Sequence, residues 1–437
     1  MYTYTLYGQG YTNMVPATAI ALLAAANPGL STEAPPLHRP PFSWNTLPVF
    51  FHSSNTSGPW SPAAVKAIAK FAMATNEKSH GMLLPDGSRQ SEELAGPAAC
   101  RQIAKEGTGT ATFFYLNSVI DWPFNFKLHE QMVANPSWRE QNVTGGDIRG
   151  PGNNYLYELG NPDTQAAWID TCVNAVEAGC SGCFIDQANL NEEGTARAGG
   201  ATKDNAAKFS AGHLSTLVAL SKKLSTTGNY PILNHFGVTG PRAQGMFRPV
   251  AMMIEDFAGT ETCVTKLQTI SSRGFTVQAH AGDLPKGQAW GGQGKGNQCV
   301  NGDTNSMAAF LIGAGEYSYY HCSFENGKGG TIWGSASAWP SVPDSWLDWI
   351  PEYDYSLGEP TGPATSEPST SNVTGLLPNN AHIWKRSFKS GTVVEFDGGS
   401  GQGTIRWAKG PTQVGLPYTN VSVARLVAAA GCKWEDV

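Results

Sequence analysis

Gly179-Cys180-Ser181-Gly182-Cys183-Phe184-Ile185-Asp186-Gln187 reads as a short buried strand that ends abruptly in a carboxylate, because Cys183, Phe184 and Ile185 are apolar and glycine turns precede them. Upstream, Trp168, Ile169, Cys172, Val173 and Val176 recur at helical spacing behind the start signal Asn161-Pro162-Asp163, which predicts a helix over 163–178. Helix, glycine turn, buried strand and then an acid are the grammar of a (β/α)8 TIM barrel, an α/β fold that gathers its functional residues at the carboxyl ends of its strands. Asp186 is therefore a catalytic candidate. The alternative is an aspartate that caps the turn Gln187-Ala188-Asn189-Leu190-Asn191.

Working outward, seven more apolar runs fit strands: 47–51, 71–75 and 111–116 before the central one, then 230–233, 251–254, 275–279 and 316–321 after it. Amphipathic segments at 61–71, 91–105, 206–224, 261–272 and 304–314 alternate with them. A long loop with the extended piece Tyr155-Leu156-Tyr157 follows the third strand, and long loops after barrel strands carry specificity. The Gly-, Pro-, Ser- and Thr-rich stretch 357–378 reads as a connector. Beyond it, 382–388, 392–396 and 404–407 alternate between turns, the pattern of a small antiparallel β-module. The expected organisation is an N-terminal segment 1–40, a barrel 41–356, the connector, and a β-module with tail 379–437.

A chain of 437 residues has room for such a barrel plus a small module. Charged residues make up only 15%, the net charge is -6 and no Lys/Arg-rich run exists, so neither a nucleic-acid partner nor a polyanion is expected. The apolar run 14–26 has the length of an export-signal core, though no Lys or Arg precedes it, and it is too short to span a bilayer. Sequons at Asn55, Asn142, Asn372 and Asn420 are compatible with secretion. No membrane association is expected. Eight cysteines permit disulfides without naming any pair; Cys180 and Cys183 have redox-motif spacing, but Cys183 lies in an apolar strand, so a structural role is expected.

The polar residues at the eight strand ends are Asn55, Glu77, Asn117, Asp186, Asn234 with His235, Glu255 with Asp256, Gln278 with His280, and Tyr319 with His321. Acids, amides, histidines and aromatics on one rim suit a carbohydrate: carboxylates do chemistry, amides and His bind hydroxyls, and Trp122, Tyr155 or Tyr319 can stack on a ring. Asp186 and Glu255 are separated by the length of two βα units of roughly 30 residues each, which places both acids on one barrel mouth. Such a pair is what glycosidic cleavage needs. Asp186 is expected to be the nucleophile or charge-stabilising carboxylate and Glu255 the proton donor, with Asp256 orienting Glu255 or a loop amide, or itself being the acid in place of Glu255; a simple ion pair is the alternative for Glu255.

The succession Asn161-Pro162-Asp163 before Trp168, Gly182-Cys183-Phe184-Ile185-Asp186, Ile254-Glu255-Asp256, Tyr355-Ser356-Leu357-Gly358-Glu359-Pro360, Trp384-Lys385-Arg386-Ser387-Phe388 and Gly391-Thr392-Val393-Val394 resembles the little-characterised TIM-barrel glycoside hydrolases near the endo-α-1,4-polygalactosaminidase group. The resemblance covers roughly 47–407. It implies a TIM barrel that hydrolyses O-glycosyl bonds, with Asp186 as the strand-four Asp and Glu255 as the strand-six acid. The chain departs from it at Gln187 and in the doubled acid Glu255-Asp256.

Two rivals share the same residues. A metal-dependent hydrolase or deacetylase would draw on His52, His235, His280 and His321, but no His-x-His or His-Glu-x-x-His pair stands in the chain, so no metal or other cofactor is expected. A non-catalytic carbohydrate-binding barrel would keep the aromatics and leave the acids idle. A Ser-His-Asp hydrolase lacks its Gly-x-Ser-x-Gly elbow.

Overall fold

The structure is a computed structural model that describes residues 36–55, 58–84, 86–124, 126–188, 201–234, 251–255, 257–281, 304–322, 349–371, 381–415 and 432. The candidate export segment, His235, Asp256 and the C-terminal tail lie outside the described residues.

Eight parallel strands form one sheet in the order β1 (Phe50–Ser53), β2 (Met73–Asn76), β3 (Ala111–Asn117), β6 (Gly182–Asp186), β7 (Ile232–Asn234), β8 (Ala251–Ile254), β9 (Thr276–Ala281) and β10 (Ser318–Cys322). A parallel bridge between Val49 and Tyr320 brings the last strand back to the first. The two short strands passed over, β4 (Ile120–Asp121) and β5 (Tyr155–Leu156), pair in the loop after β3. Between the barrel strands run α1 (Pro62–Ile68), α2 (Glu92–Ala104), α3 (Phe126–Ala134), α4 (Pro162–Glu177), α5 (Lys203–Ser225), α6 (Glu261–Ser272) and α7 (Thr304–Gly313). The TIM barrel and all eight expected strands are present. Helix α3 lies inside what reads from sequence as loop.

Alternation divides each strand between two cores. Phe51, Ala74, Phe114, Leu116, Cys183, Ile185, Leu233, Met252, Ile254, Val277 and Tyr320 pack outward with the helices. Phe50, Met73, Phe113, Tyr115, Phe184, Ile232, Ala251, Met253 and Tyr319 fill the interior. Successive side chains of a strand point to opposite faces, so the interior residue two steps beyond Phe184 is Asp186, and two beyond Met253 is Glu255. Apolar packing below thus aims polar groups at the mouth.

The central strand is stapled on both sides. Cys100 of α2 bonds Cys180, and Cys172 of α4 bonds Cys183, so the two cysteines with redox-motif spacing take separate structural partners. Helix α4 begins with Pro162 at its first position, and the cap Asn161 accepts from Asp163 N. Its buried Trp168 donates from Nε1 to Asn117 O at 2.9 Å, which ties the helix to the end of β3.

A second, antiparallel sheet runs β11 (Thr365–Pro368), β12 (His382–Ser387), β13 (Val393–Asp397), β14 (Gln402–Arg406) and β15 (Thr412–Val414). Strand β11 lies in the stretch expected to be a connector. Its four residues are all exposed, so it joins the sheet through backbone bonds and the Lys385–Glu367 ion pair rather than apolar packing, and shows no apolar alternation in the sequence. The sheet is fastened to the barrel by polar contacts. Arg386 Nη1 donates to Leu311 O at 2.9 Å and Ala314 O at 2.6 Å, serving the free carbonyls at the end of α7. His382 Nδ1 meets Glu261 Oε1 at 2.6 Å at the start of α6, and Cys263 is disulfide-bonded to Cys432.

Gly182 opens β6 where a methyl group would lie 2.2 Å from Tyr230 O and 2.9 Å from the Phe113 ring. Gly182→Ala is therefore expected to destabilise the fold by at least the 1–3 kcal/mol that is typical, roughly, of core overpacking. Chemical denaturation of the variant beside the parent measures this, and an unchanged midpoint would show that the strands can separate freely.

Candidate active site

Asp186 ends β6 at the barrel mouth, almost fully buried, with four donors around its carboxyl group. Oδ2 accepts from Tyr115 Oη at 2.6 Å and from Asn117 Nδ2 at 3.1 Å; Oδ1 accepts from Asn234 Nδ2 at 3.0 Å and from the backbone N of Gln187 at 2.8 Å. All four partners donate, so the group they surround is served as a carboxylate, which can only accept. The Asn117 side chain also accepts from Val119 N and Ile120 N at 2.8 and 2.7 Å, which anchors the start of the following loop.

Glu255 follows β8 directly and is buried. Its Oε2 accepts from the same Asn234 nitrogen at 2.6 Å. One amide nitrogen with two hydrogens therefore bridges the two acids, and the oxygens it joins are no farther apart than two hydrogen bonds, of 3.0 and 2.6 Å, laid end to end. The Asn234 Oδ1 atom is buried and has no partner among the described residues.

From β9, beside Glu255, round to β1 the mouth is lined by imidazoles. His52 and His280 have ring centroids 5.6 Å apart, and His280 stacks on His321 at 5.6 Å with planes 5° apart. Burial, reinforced by His280 and His52, holds His321 well below the usual imidazole range. His52 Nε2 lies 3.3 Å from Glu77 Oε1, and Lys78 Nζ lies 2.7 Å from Glu77 Oε2. Burial alone would raise the Glu77 carboxyl, but Lys78 and His52 outweigh it and bring it below its ordinary value. Lys78 Nζ also sits 4.5 Å over the ring of Tyr115. Burial first, then the charges of Asp186 and Glu77, push the Tyr115 hydroxyl well above its usual range, so it remains a donor to Asp186. Among the described residues, no group of three or more His, Cys, Asp or Glu stands together as a metal site.

Of the residues singled out from sequence, the structure brings Asn117, Asp186, Asn234, Glu255 and His280 together. Gln278 and Tyr319 pair with one another one layer below His280 and His321, inside the barrel. Gln278 Nε2 rests 3.9 Å from Met73 Sδ, and the Tyr319 hydroxyl donates to Pro40 O and Pro41 O at 3.2 and 3.1 Å, away from the mouth. Tyr155 lies under the Arg149 and Arg139 guanidinium groups, 3.6 and 4.6 Å from its ring centre, so its π-face is already engaged. Trp122 stacks on Phe124 at 5.6 Å with planes 9° apart, and its buried Nε1 has no partner among the described residues. Sequence reading missed Tyr115, although it shares the inward parity of Asn117 two residues on.

Residues 112–392 match the model of hypothetical glycosyl hydrolase family 15. The chain belongs to this family. No curated protein matches it. Among solved structures this glycosyl hydrolase family member is similar to the glycoside hydrolase domain of PelA from Pseudomonas aeruginosa, at 15% identity over 56% of this chain and 86% of that one, with a TM-score of 0.37. It is also similar to Ega3 from Aspergillus fumigatus in complex with galactosamine, at 8% identity over 65% and 94% of the two chains and a TM-score of 0.37. The GH36 α-galactosidase AgaA from Geobacillus stearothermophilus matches at 10% identity over 85% of this chain and 49% of that one, with a TM-score of 0.43.

The loop over the mouth carries an acid pair of its own. The antiparallel bridge Arg139–Tyr157 sets Glu140 and Glu158 diagonally across two strands on one face. Burial, then the neighbouring Glu158, push the Glu140 carboxyl from 4.5 up to about 9. The folded chain keeps this proton where the unfolded chain releases it, so its contribution to stability is full below about pH 4.5 and falls as pH rises towards about 9. Thermal midpoints across that window should decline less steeply for Glu140→Gln than for the parent. Parallel slopes would mean that Glu140 is ionised in the folded chain.

Proposed function

We propose that the chain cleaves glycosidic bonds of an oligo- or polysaccharide with retention of anomeric configuration, Asp186 attacking the anomeric carbon and Glu255 protonating the departing oxygen. The observation that carries this reading is the single Asn234 nitrogen that donates to both acids. Retaining enzymes hold their carboxyl groups about 5–5.5 Å apart, whereas inverting enzymes leave about 6.5–9.5 Å for a water between them. Two hydrogen bonds on one nitrogen hold the bridged oxygens close to the shorter range, which supports retention.

The chemistry follows from the surroundings. Attack forms a bond from an Asp186 oxygen to carbon as the glycosidic C–O bond breaks, and the proton of Glu255 passes to the leaving oxygen. Water then attacks the same carbon, gives its proton to Glu255 and frees Asp186. Tyr115, Asn117 and Asn234 hold the Asp186 carboxylate in place, and family membership supports the reaction class. Three disulfides among the described residues support an oxidising, secretory setting.

The test is release of reducing ends across a polysaccharide panel, then kinetics on the responding sugar as an aryl glycoside and as a natural oligosaccharide. Asp186→Asn should abolish turnover of both. Glu255→Gln should lose about 10²–10⁴-fold on the oligosaccharide and far less on an aryl glycoside with a good leaving group. The first sugar product, read by NMR before mutarotation, should keep the substrate's anomeric configuration. Binding without hydrolysis by the parent chain would instead identify a carbohydrate-binding barrel.

A neighbouring aromatic offers a separate check on where the sugar lies. Trp122→Ala is expected to raise KM roughly tenfold, equivalent to about 1.4 kcal/mol, while the melting temperature stays near that of the parent. A collapse in melting temperature would make Trp122 a packing residue of the loop.

A further inference from the structure

We propose that Ser118 and His213 are positioning residues that set the Asp186 carboxylate through the backbone of Gln187; this rests on the reading of Asp186 as the nucleophile. Neither side chain has a hydrogen bond to the carboxyl group of Asp186. Their effect passes through the strained turn that follows it.

Gln187 is one of four non-glycine residues with left-handed backbone among the described residues, at φ 52°. That conformation is disfavoured for a residue with a side chain and persists where its surroundings hold it. The Gln187 N–H lies in one trans peptide plane with the Asp186 carbonyl, so a grip on that carbonyl aims the N–H at Asp186 Oδ1, 2.8 Å away. The other three donors to the carboxylate are side chains of β3 and β7, whereas this one depends on how the chain leaves β6.

Ser118, the first residue after β3, clasps that exit. Its backbone N donates to Asp186 O at 3.0 Å, and its hydroxyl reaches Asp186 O at 2.8 Å and Gln187 O at 2.9 Å. A hydroxyl has one proton, and both carbonyl oxygens can only accept, so that proton is shared between them. The remaining contact of the hydroxyl oxygen, His213 Nε2 at 2.9 Å, must then bring its own hydrogen. This identifies the neutral Nε2–H tautomer of His213. Burial holds this imidazole down to about 4, so it stays neutral at ordinary pH.

The support for His213 is also built in. It lies in the middle of α5, buried and stacked on Phe209 with planes 13° apart. Its neighbour Gly212 lets the helix approach the loop closely, since a methyl group there would lie 2.3 Å from Leu159 O. The relay thus runs from α5 through His213, Ser118 and the Gln187 backbone to the carboxylate. Without the clasp on the two carbonyls, the Asp186–Gln187 peptide plane is free to turn, and the Gln187 N–H leaves Oδ1. The carboxylate then loses one of its four restraints and the defined angle at which it meets the anomeric carbon.

The experiment compares kcat and KM for Ser118→Ala, Ser118→Thr and His213→Leu with the parent on one aryl glycoside, with Asp186→Asn in parallel. Ser118→Ala is expected to lower kcat about ten- to a hundredfold, the scale of a misplaced reacting group, with KM within twofold. Ser118→Thr, which keeps the hydroxyl, should retain most of kcat. His213→Leu, an apolar replacement for a buried neutral ring, should lower kcat in the same way and serves if Ser118→Ala does not fold. Folded Ser118→Ala or His213→Leu protein with parental kcat overturns the proposal, as does a loss in Ser118→Ala that Ser118→Thr shares in full. If Asp186→Asn remains active, it is the assignment of the nucleophile that fails.

Discussion

The Asn234 amide is the interaction on which the site depends. Its nitrogen has two hydrogens and spends one on each acid, so the separation of Asp186 and Glu255 is set by hydrogen-bond lengths rather than by flexible side chains. Removing that amide would leave two buried carboxyl groups facing one another without a donor between them, an expensive arrangement in a low-dielectric interior. The amide can hold its place because Asn234 ends a strand whose preceding residues are fully buried.

Around this bridge, rigidity is concentrated on β6. Two disulfides tie its approach and its first half to α2 and α4, and Trp168 of α4 fastens the end of β3 beside it. The pairs Leu116–Ile185 and Asn117–Asp186 continue the β3–β6 register up to the mouth, so the donors from β3 and their acceptor on β6 are placed by the same ladder. The remaining wall is electrostatic. Glu77, Lys78 and His52 form a buried polar cluster whose lysine covers the face of Tyr115, the residue whose hydroxyl touches Asp186. A network of this kind is costly if only partly satisfied and specific when complete.

The loop after β3 is organised differently. Its helix and two short strands are held by guanidinium groups over Tyr155, by Arg139 paired with Asp147 at 3.0 Å, and by His129 paired with the buried Asp121 at 2.7 Å. The Asp121 hydrogen bond is the main cause that raises His129, with burial opposing it. Tyr155 in sequence looks like a ring free to stack on a sugar, and tertiary structure spends it on arginines instead. Trp122, in the same loop, keeps an unspent buried donor.

By itself the sequence determined the barrel and the identity of its rim. Apolar runs of three to six residues, each followed by a polar side chain, are a local pattern, and the alternation of a strand carries Asp186 and Glu255 to the same mouth once both lie on barrel strands. It could not rank residues of equal parity by depth, because depth depends on the stagger between strands; hence Tyr319 and Gln278 read as rim residues and lie one layer below it. Nor could it show β11, whose bonds are all to another strand, or the choice of partners for Cys180 and Cys183. Ser118 and His213 stand nearly a hundred residues apart, and nothing local distinguishes either from an ordinary serine or a helix-face histidine. Only the packing of α5 against the loop that follows β3 makes them neighbours, since a hydrogen bond of this kind exists in three dimensions and leaves no periodicity in one.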